Sequence, residues 1–196
     1  MEIVLVRHAS TSWSGRRYCG RSDPPLNALG RAEAADLAQR LAPTLTSMTR
    51  IVASPSRRAI ATARAIAAAA GRLAVETDPR WLETDFGIVE GRRFDEFETI
   101  APDVAAAVLA GLAAIDWPGG ETSAALAERV SAAWSDLVAA GRDAVVVTHA
   151  GPLLHALALA RQESPDIARI PAPGTETRVV VTAGEPPKRP VLPSGT

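Results

Sequence analysis

The sequence predicts an α/β domain of three layers, a mostly parallel sheet flanked by helices, and three observations predict it. The runs Ile3 to Val6 and Ala144 to Val147 are short and apolar at every position, as strands buried on both faces must be. Amphipathic segments at helical spacing fall between the apolar runs, so strands and helices alternate along nearly the whole chain. Both runs lead into a polar step that carries a His-Ala pair, Arg7-His8-Ala9 and Thr148-His149-Ala150. In an open parallel sheet the two histidines would meet in the crevice beyond the carboxyl ends of the strands, where such sheets bind ligands.

Each element has its own warrant. After the first strand, Ala9 to Pro25 is a polar loop rich in hydroxyls and guanidinium groups, closed by Pro24-Pro25. Asn27 is placed to cap a helix running to about Leu41, with Ala34, Leu37, Ala38 and Leu41 on one face. Arg50 to Ala53 reads as a short strand, and Ser54-Pro55 opens a helix that runs to about Ala70 before Gly71. Leu73 to Glu76 reads as another strand. The stretch WLETDFGIVEG, Trp81 to Gly91, reads as a loop with a short extended piece. Arg92 to Gly111 reads as two helices because Pro102 interrupts the pattern. Beyond Gly119-Gly120, a helix from Thr122 to about Ala139 presents Leu126, Val130, Ala133 and Leu137 on one face. The strand Ala144 to Val147, a helix from Pro152 to about Ala160 and a last strand from Thr177 to Thr182 complete the order.

Bulk properties narrow the function. A chain of 196 residues suits one compact domain, placed at 1–183, with a Pro-rich tail at 184–196 expected to be mobile. A net charge of -1 supplies no field for nucleic acid or an anionic membrane. The single cysteine, Cys19, excludes a disulfide framework and a Cys-based metal cluster. With no signal-peptide pattern and no apolar run approaching a membrane span, a cytoplasmic monomer or homodimer is expected. Of 21 basic residues only Lys188 is a lysine, so any phosphate would be held by arginine forks.

One histidine after a strand is ordinarily a capped or solvated residue. Two of only three histidines at equivalent strand ends, one directly preceded by arginine, point instead to chemistry. Phosphoryl transfer needs a nucleophile, cations around the phosphoryl oxygens and a proton donor for the leaving oxygen. The stretch LVRHASTSW resembles the Arg-His-Gly-x-Thr signature of the histidine phosphatase superfamily, which includes the cofactor-dependent phosphoglycerate mutases. PLNALGRAEA, SPSRRAIATA, LETDFGIVEG, GGETSAALAERV and VVVTHAGPL resemble further blocks of that family in the right order, over most of residues 1–160.

The resemblance implies a phosphoglycerate mutase-like fold and a metal-independent, cofactor-free reaction. His8 would be the nucleophile; Arg7, Arg58 and His149 would surround the phosphoryl oxygens, and Glu83 would be the proton donor, with Asp85 in reserve. It implies substrate contacts at Thr11, Ser14, Tyr18, Cys19, Gly20 and Ala150. Counted from Ser54, the resemblance of SPSRRAIATA to the family block places the phosphate-binding arginine at Arg58 rather than Arg57, and since successive helical positions point about 100° apart only one of the two can face the phosphate. Two positions depart from the family: Ala9 replaces a glycine, and Ser14 replaces an asparagine phosphate ligand with a shorter donor, which bears on how tightly phosphate is held. Cys19 is assigned a backbone or shape role and His155 a packing role, while Phe94, Phe97 and Trp117 fit either a pocket lining or a core. The implied activity is that of a histidine acid phosphatase-type phosphoric monoester hydrolase on a small molecule, with α-ribazole 5'-phosphate as the candidate substrate. A cofactor-dependent phosphoglycerate mutase and a non-catalytic phospho-ligand binder are the alternatives.

Overall fold

The computed structural model describes residues 1–181, so Thr182 and the tail at 184–196 lie outside the described residues. Five strands, β1 (Glu2–Arg7), β2 (Arg50–Ala53), β3 (Val75–Thr77), β4 (Ala144–Thr148) and β5 (Glu176–Val180), pair in the order β3-β2-β4-β1-β5. The first four are parallel and β5 is antiparallel to β1. The direction of β5 has a local cause. Before it, the chain returns to the carboxyl edge of the sheet, where Gly174 N–H donates to the carbonyls of Arg7 and His8 and Arg7 N–H donates to Thr175 O. From there the last strand descends.

The helices are α1 (Ala28–Leu41), α2 (Arg57–Ala69), α3 (Phe94–Ile100), α4 (Pro102–Leu109), α5 (Ser123–Ala140) and α6 (Ala150–Arg161). On one face of the sheet Val4, Val6, Ile51, Val145 and Val147 pack with Leu37, Ala38 and Leu41 of α1 and Ala59, Ala63 and Ile66 of α2. On the other, Ile3, Leu5, Val52 and Val146 pack with Val130, Trp134 and Leu137 of α5 and Leu153 and Leu157 of α6. Both faces of β1 and β4 are therefore covered, which is why Ile3 to Val6 and Ala144 to Val147 are apolar at every position. Helices α3 and α4 build a separate cluster around Phe97, Val89, Ala101 and Ala105.

Local chemistry sets the ends. Asn27 accepts from Gly30 N–H and caps α1, and Thr122 accepts from Ala125 N–H and caps α5. Ile100 and Pro102 bound α3 and α4, with Pro102 at a first helical position that needs no N–H. The last strand starts at Glu176, one residue before the expected Thr177, and three further boundaries differ from expectation. Helix α2 starts at Arg57, capped by Ser56, because Ser54 and Ser56 turn toward His149. Helix α6 starts at Ala150, two residues before Pro152, because Glu83 takes its first N–H groups. Strand β3 is shifted to Val75–Thr77, since Leu73 N–H still bonds back to Ala67 in α2. The stretch 81–91 holds no paired strand, only the end of one 3-10 turn, Pro79–Trp81, and a second, Gly87–Val89.

Candidate active site

The register of the two central strands brings the histidines together. Arg7 lies opposite Thr148, and His8 N–H donates to Thr148 O at 2.9 Å. The rings follow side by side, with centroids 4.9 Å apart and planes at 63°. Nδ1 of His8 lies 2.8 Å from Ala9 O, so its N–H donates there and the lone pair stays on Nε2. Burial, then the charges of Arg58 and Arg7, lower the His8 pKa to about 3 against the opposing pull of the Ala9 carbonyl. His8 is therefore a neutral imidazole at neutral pH, with its lone pair on Nε2.

Arg58, though charged, is 1% exposed. Its Nε–H donates to His8 Nε2 at 3.3 Å. Nη1 donates to Ser22 O and Asp23 Oδ1, and Nη2 to the carbonyls of Cys19 and Gly20. The guanidinium is thus locked to the polar loop, with one edge left for the nucleophile. Arg57 is exposed; its backbone N–H is held by Asp23. Arg7 donates through Nη1 to Pro171 O, and its buried Nε has no hydrogen-bond partner among the described residues. His149 is fully buried, with Nε2 2.7 Å from Ser54 Oγ and 3.3 Å from Ser56 Oγ. Its Nδ1 also lacks a partner among the described residues. Burial, helped by His8 and nearby arginines, drives its pKa well below the ordinary value. Unsatisfied buried polar groups are costly, and an unpaired Arg7 N–H and an unpaired His149 ring nitrogen with the buried Arg58 guanidinium suit an anion.

Glu83 closes the group. Its carboxylate accepts from the N–H groups of Thr84, Ala150 and Gly151 at 2.9–3.0 Å, which seats it on the N-terminus of α6. Gly151 is required for that seat, since a Cβ there would lie 2.7 Å from Glu83 Oε1 and 2.5 Å from Thr84 Oγ1. Thr148 Oγ1 donates to Trp81 O and ties the Glu83 segment to β4.

The residues expected to touch substrate divide. Cys19 and Gly20 act here through their carbonyls on Arg58. Burial pushes the Cys19 thiol up to about 11, leaving it protonated. Thr11 is buried and Ser14 half-buried; Ser14 Oγ accepts from Thr11 N–H and Thr11 Oγ1 from Trp13 N–H, so both hydroxyls brace the loop. Tyr18 sits in an aromatic cluster with Phe86, Phe97 and Trp117, and Phe97 is fully buried there. Ala150 presents its N–H to Glu83. Asp85 Oδ1 accepts from Gly87 N–H in a tight turn, and Glu90 receives the N–H groups of Gly20, Arg21 and Ser22. Ala9 packs with Leu26, Ala34 and Ala65, while its N–H donates to Thr62.

Residues not singled out from sequence complete the site: Ser54 and Ser56 on His149, Asp23 on Arg57 and Arg58, Glu33 on Ser10, and Arg129 on Glu83. All are long-range partners; Ser54 and Ser56 lie inside SPSRRAIATA, Glu33 inside PLNALGRAEA and Arg129 inside GGETSAALAERV, but nothing local marks the contacts they make. Among the described residues, no group of three or more His, Cys, Asp or Glu side chains is placed to hold a metal ion. Nor is any described helix long and apolar enough to cross a membrane.

Residues 3–188 match the family model described as histidine phosphatase superfamily (branch 1). The chain belongs to that superfamily. Phosphoglycerate mutase-like protein 4 of Arabidopsis thaliana is 34% identical over 173 residues, which are 86% of this chain and 75% of that protein. A mycobacterial glucosyl-3-phosphoglycerate phosphatase superposes with a TM-score of 0.78 at 27% identity, covering 90% of each chain. The α-ribazole phosphatase from Shigella flexneri superposes at 0.80 over 93% of this chain and 92% of its own, but at 22% identity it speaks for the shared α/β fold alone.

Proposed function

We propose that the protein is a metal-independent phosphomonoesterase that works through a phosphohistidine on His8. The observation that carries this reading is the buried neutral imidazole whose Nδ1 is tied to Ala9 O and whose Nε2 lies beside the Arg58 Nε–H. In the first step Nε2 releases the Arg58 Nε–H and attacks phosphorus, the bond from phosphorus to the ester oxygen breaks, and Glu83, entering this step as the carboxylic acid, gives its proton to the departing alkoxide and is left as the carboxylate. Arg58 Nε, Arg7 Nε and His149 Nδ1 stabilise charge on the phosphoryl oxygens, so the arginines supply what a metal would. In the second step Glu83 takes a proton from water, which attacks the phosphohistidine and frees His8 and inorganic phosphate.

The substrate is a small phosphate ester, with α-ribazole 5'-phosphate the first to assay, in keeping with the α-ribazole and broad-specificity branch that the RRYCGRSDPPL stretch resembles. The names of the curated relatives favour one rival, a phosphoglycerate mutase using the same site. The test is a panel of phosphomonoesters assayed with excess chelator, alongside quenching with labelled substrate. Phosphate release with chelator present, and label lost in acid but kept in base, support the reading. Restoration by a divalent ion after chelation, or label persisting in His8→Ala, would defeat it.

A further inference from the structure

We propose that Arg129, acting together with Glu121, is a positioning residue that fixes the Glu83 segment over the phosphoryl site. This rests on the reading of Glu83 as the proton donor. The guanidinium of Arg129, on the second turn of α5, meets Glu121 in a two-pronged contact, Nε to Oε1 at 2.6 Å and Nη2 to Oε2 at 2.9 Å. Its remaining reach goes to the chain that carries the acid. Nη1 donates to Arg80 O at 2.6 Å and Nη2 to Glu83 O at 3.2 Å. Glu121 grips the same segment further on, its backbone N–H donating to Asp85 O at 2.9 Å and its Oε2 accepting from Asp85 N–H at 3.3 Å.

Three points along six residues, Arg80, Glu83 and Asp85, are therefore held by one ion pair. Beyond the 3-10 turn Pro79–Trp81 the segment has no regular structure, so long-range donors determine its path. The pair is largely shielded, with 16% of the Arg129 side chain and 10% of Glu121 exposed. Burial alone would raise the Glu121 carboxyl, but the Arg129 hydrogen bonds and charge outweigh it and keep Glu121 ionised at neutral pH. Because the Glu83 carboxylate is anchored separately on α6, a shift of its backbone alters the aim of the acid without removing it. Lysine cannot replace this arginine, since one ammonium cannot reach the carboxylate fork and both carbonyls together.

The test is single-turnover formation of phosphohistidine in Arg129→Lys and Glu121→Gln, each verified as folded at the assay temperature by its unfolding curve. Two esters are compared, an alkyl phosphate whose leaving oxygen must be protonated and a nitrophenyl phosphate whose leaving group departs unaided, with Glu83→Gln as reference. We expect the alkyl ester to slow by about tenfold to a hundredfold and the nitrophenyl ester by about threefold at most, in the same pattern as Glu83→Gln and with substrate affinity little changed. Equal slowing of both esters, or no slowing, overturns the proposal while the Glu83 reference still discriminates. If Glu83→Gln itself fails to discriminate, or no phosphohistidine forms in the wild-type protein, the underlying reading falls and this inference with it.

Discussion

Arg58 donates its Nε–H to Nε2 of His8 across 3.3 Å, while its four other N–H bonds are directed at the carbonyls of Cys19, Gly20 and Ser22 and at Asp23. The cation is thus fixed by the loop that follows the nucleophile, and the edge it offers lies at the atom expected to attack phosphorus. Arg58→Ala should lose about a hundredfold or more in kcat, on the order of 3 kcal/mol of transition-state stabilisation. Arg58→Lys should fare little better, since an ammonium cannot span three carbonyls and the imidazole. Arg57→Ala should stay active, because that side chain is exposed and the Asp23 contact uses only its backbone N–H. The reverse ranking in steady-state assays would show that the other arginine serves the phosphoryl group.

Gly151→Ala tests the seat of Glu83. In a helix alanine is favoured over glycine by about 1 kcal/mol, so the fold has an offsetting gain. The added methyl nevertheless lands 2.7 Å from Glu83 Oε1 and must displace it. The expected result is a kcat lower by about tenfold to a hundredfold with KM little changed. Full activity would mean that Glu83 does not work from the α6 N-terminus.

The parts of this site readable from sequence are those whose signal is local. Both histidines follow strands with an unbroken apolar run, Ile3 to Val6 and Ala144 to Val147, and once β1 and β4 pair in parallel their meeting is a matter of register. Helical geometry says that only one of Arg57 and Arg58 can face the site, and the resemblance of SPSRRAIATA to the family block, counted from Ser54, selects Arg58. What escaped was set by contacts far apart in sequence. The β5 direction depends on Gly174 meeting Arg7 and His8, the α2 start on Ser54 and Ser56 turning to His149, and the α6 start on Glu83. Ser14 adds a nearer contact that also escaped, its hydroxyl accepting from Thr11 N–H within the loop.

Stability should fall on mild acidification. An unfolded histidine titrates near 6.5, whereas folded His8 is lowered to about 3, His155 to about 4 and His149 well below its ordinary value. Burial is the leading cause in all three. The unfolded chain therefore binds more protons below pH 6.5, so this stability is complete above that value and is lost as pH falls through 6.5 toward the folded pKa values. The slope is up to about 1.4 kcal/mol per pH unit for each histidine. Urea unfolding at pH 7.5, 6.5 and 5.5 should show the decline well above the range where the paired carboxylates titrate. A flat profile to pH 5 would mean that these rings are not buried as neutral bases.

Cys19 should prove dispensable as a thiol. Burial holds it protonated up to about 11, and its Sγ only faces Ser22 O at 3.5 Å. The thiolate is the reactive form, so alkylation at pH 8 should be slow, and Cys19→Ser, which keeps the backbone carbonyl on Arg58, should retain activity. Rapid alkylation with parallel loss of activity would assign the sulfur a direct role.

Water, rather than a second substrate hydroxyl, should accept the phosphoryl group. A mutase must hold its phosphohistidine away from water while an intermediate reorients, and that demands extensive cover over the site. Here the chain between Glu83 and Thr122 supplies two short helices, α3 of 7 residues and α4 of 8, divided at Ala101. Their core is the aromatic cluster on Tyr18, and Leu109 and Leu112 remain exposed. So small a cover should not exclude water for the lifetime of a phosphohistidine. We expect inorganic phosphate from phosphomonoesters, with negligible interconversion of 3- and 2-phosphoglycerate even with a bisphosphoglycerate primer. A coupled mutase assay run beside a phosphate-release assay on one preparation decides between the two fates. Primer-dependent turnover exceeding hydrolysis would make the protein a mutase, with the same four side chains, His8, Arg58, Glu83 and His149, serving a phosphoryl group returned to substrate.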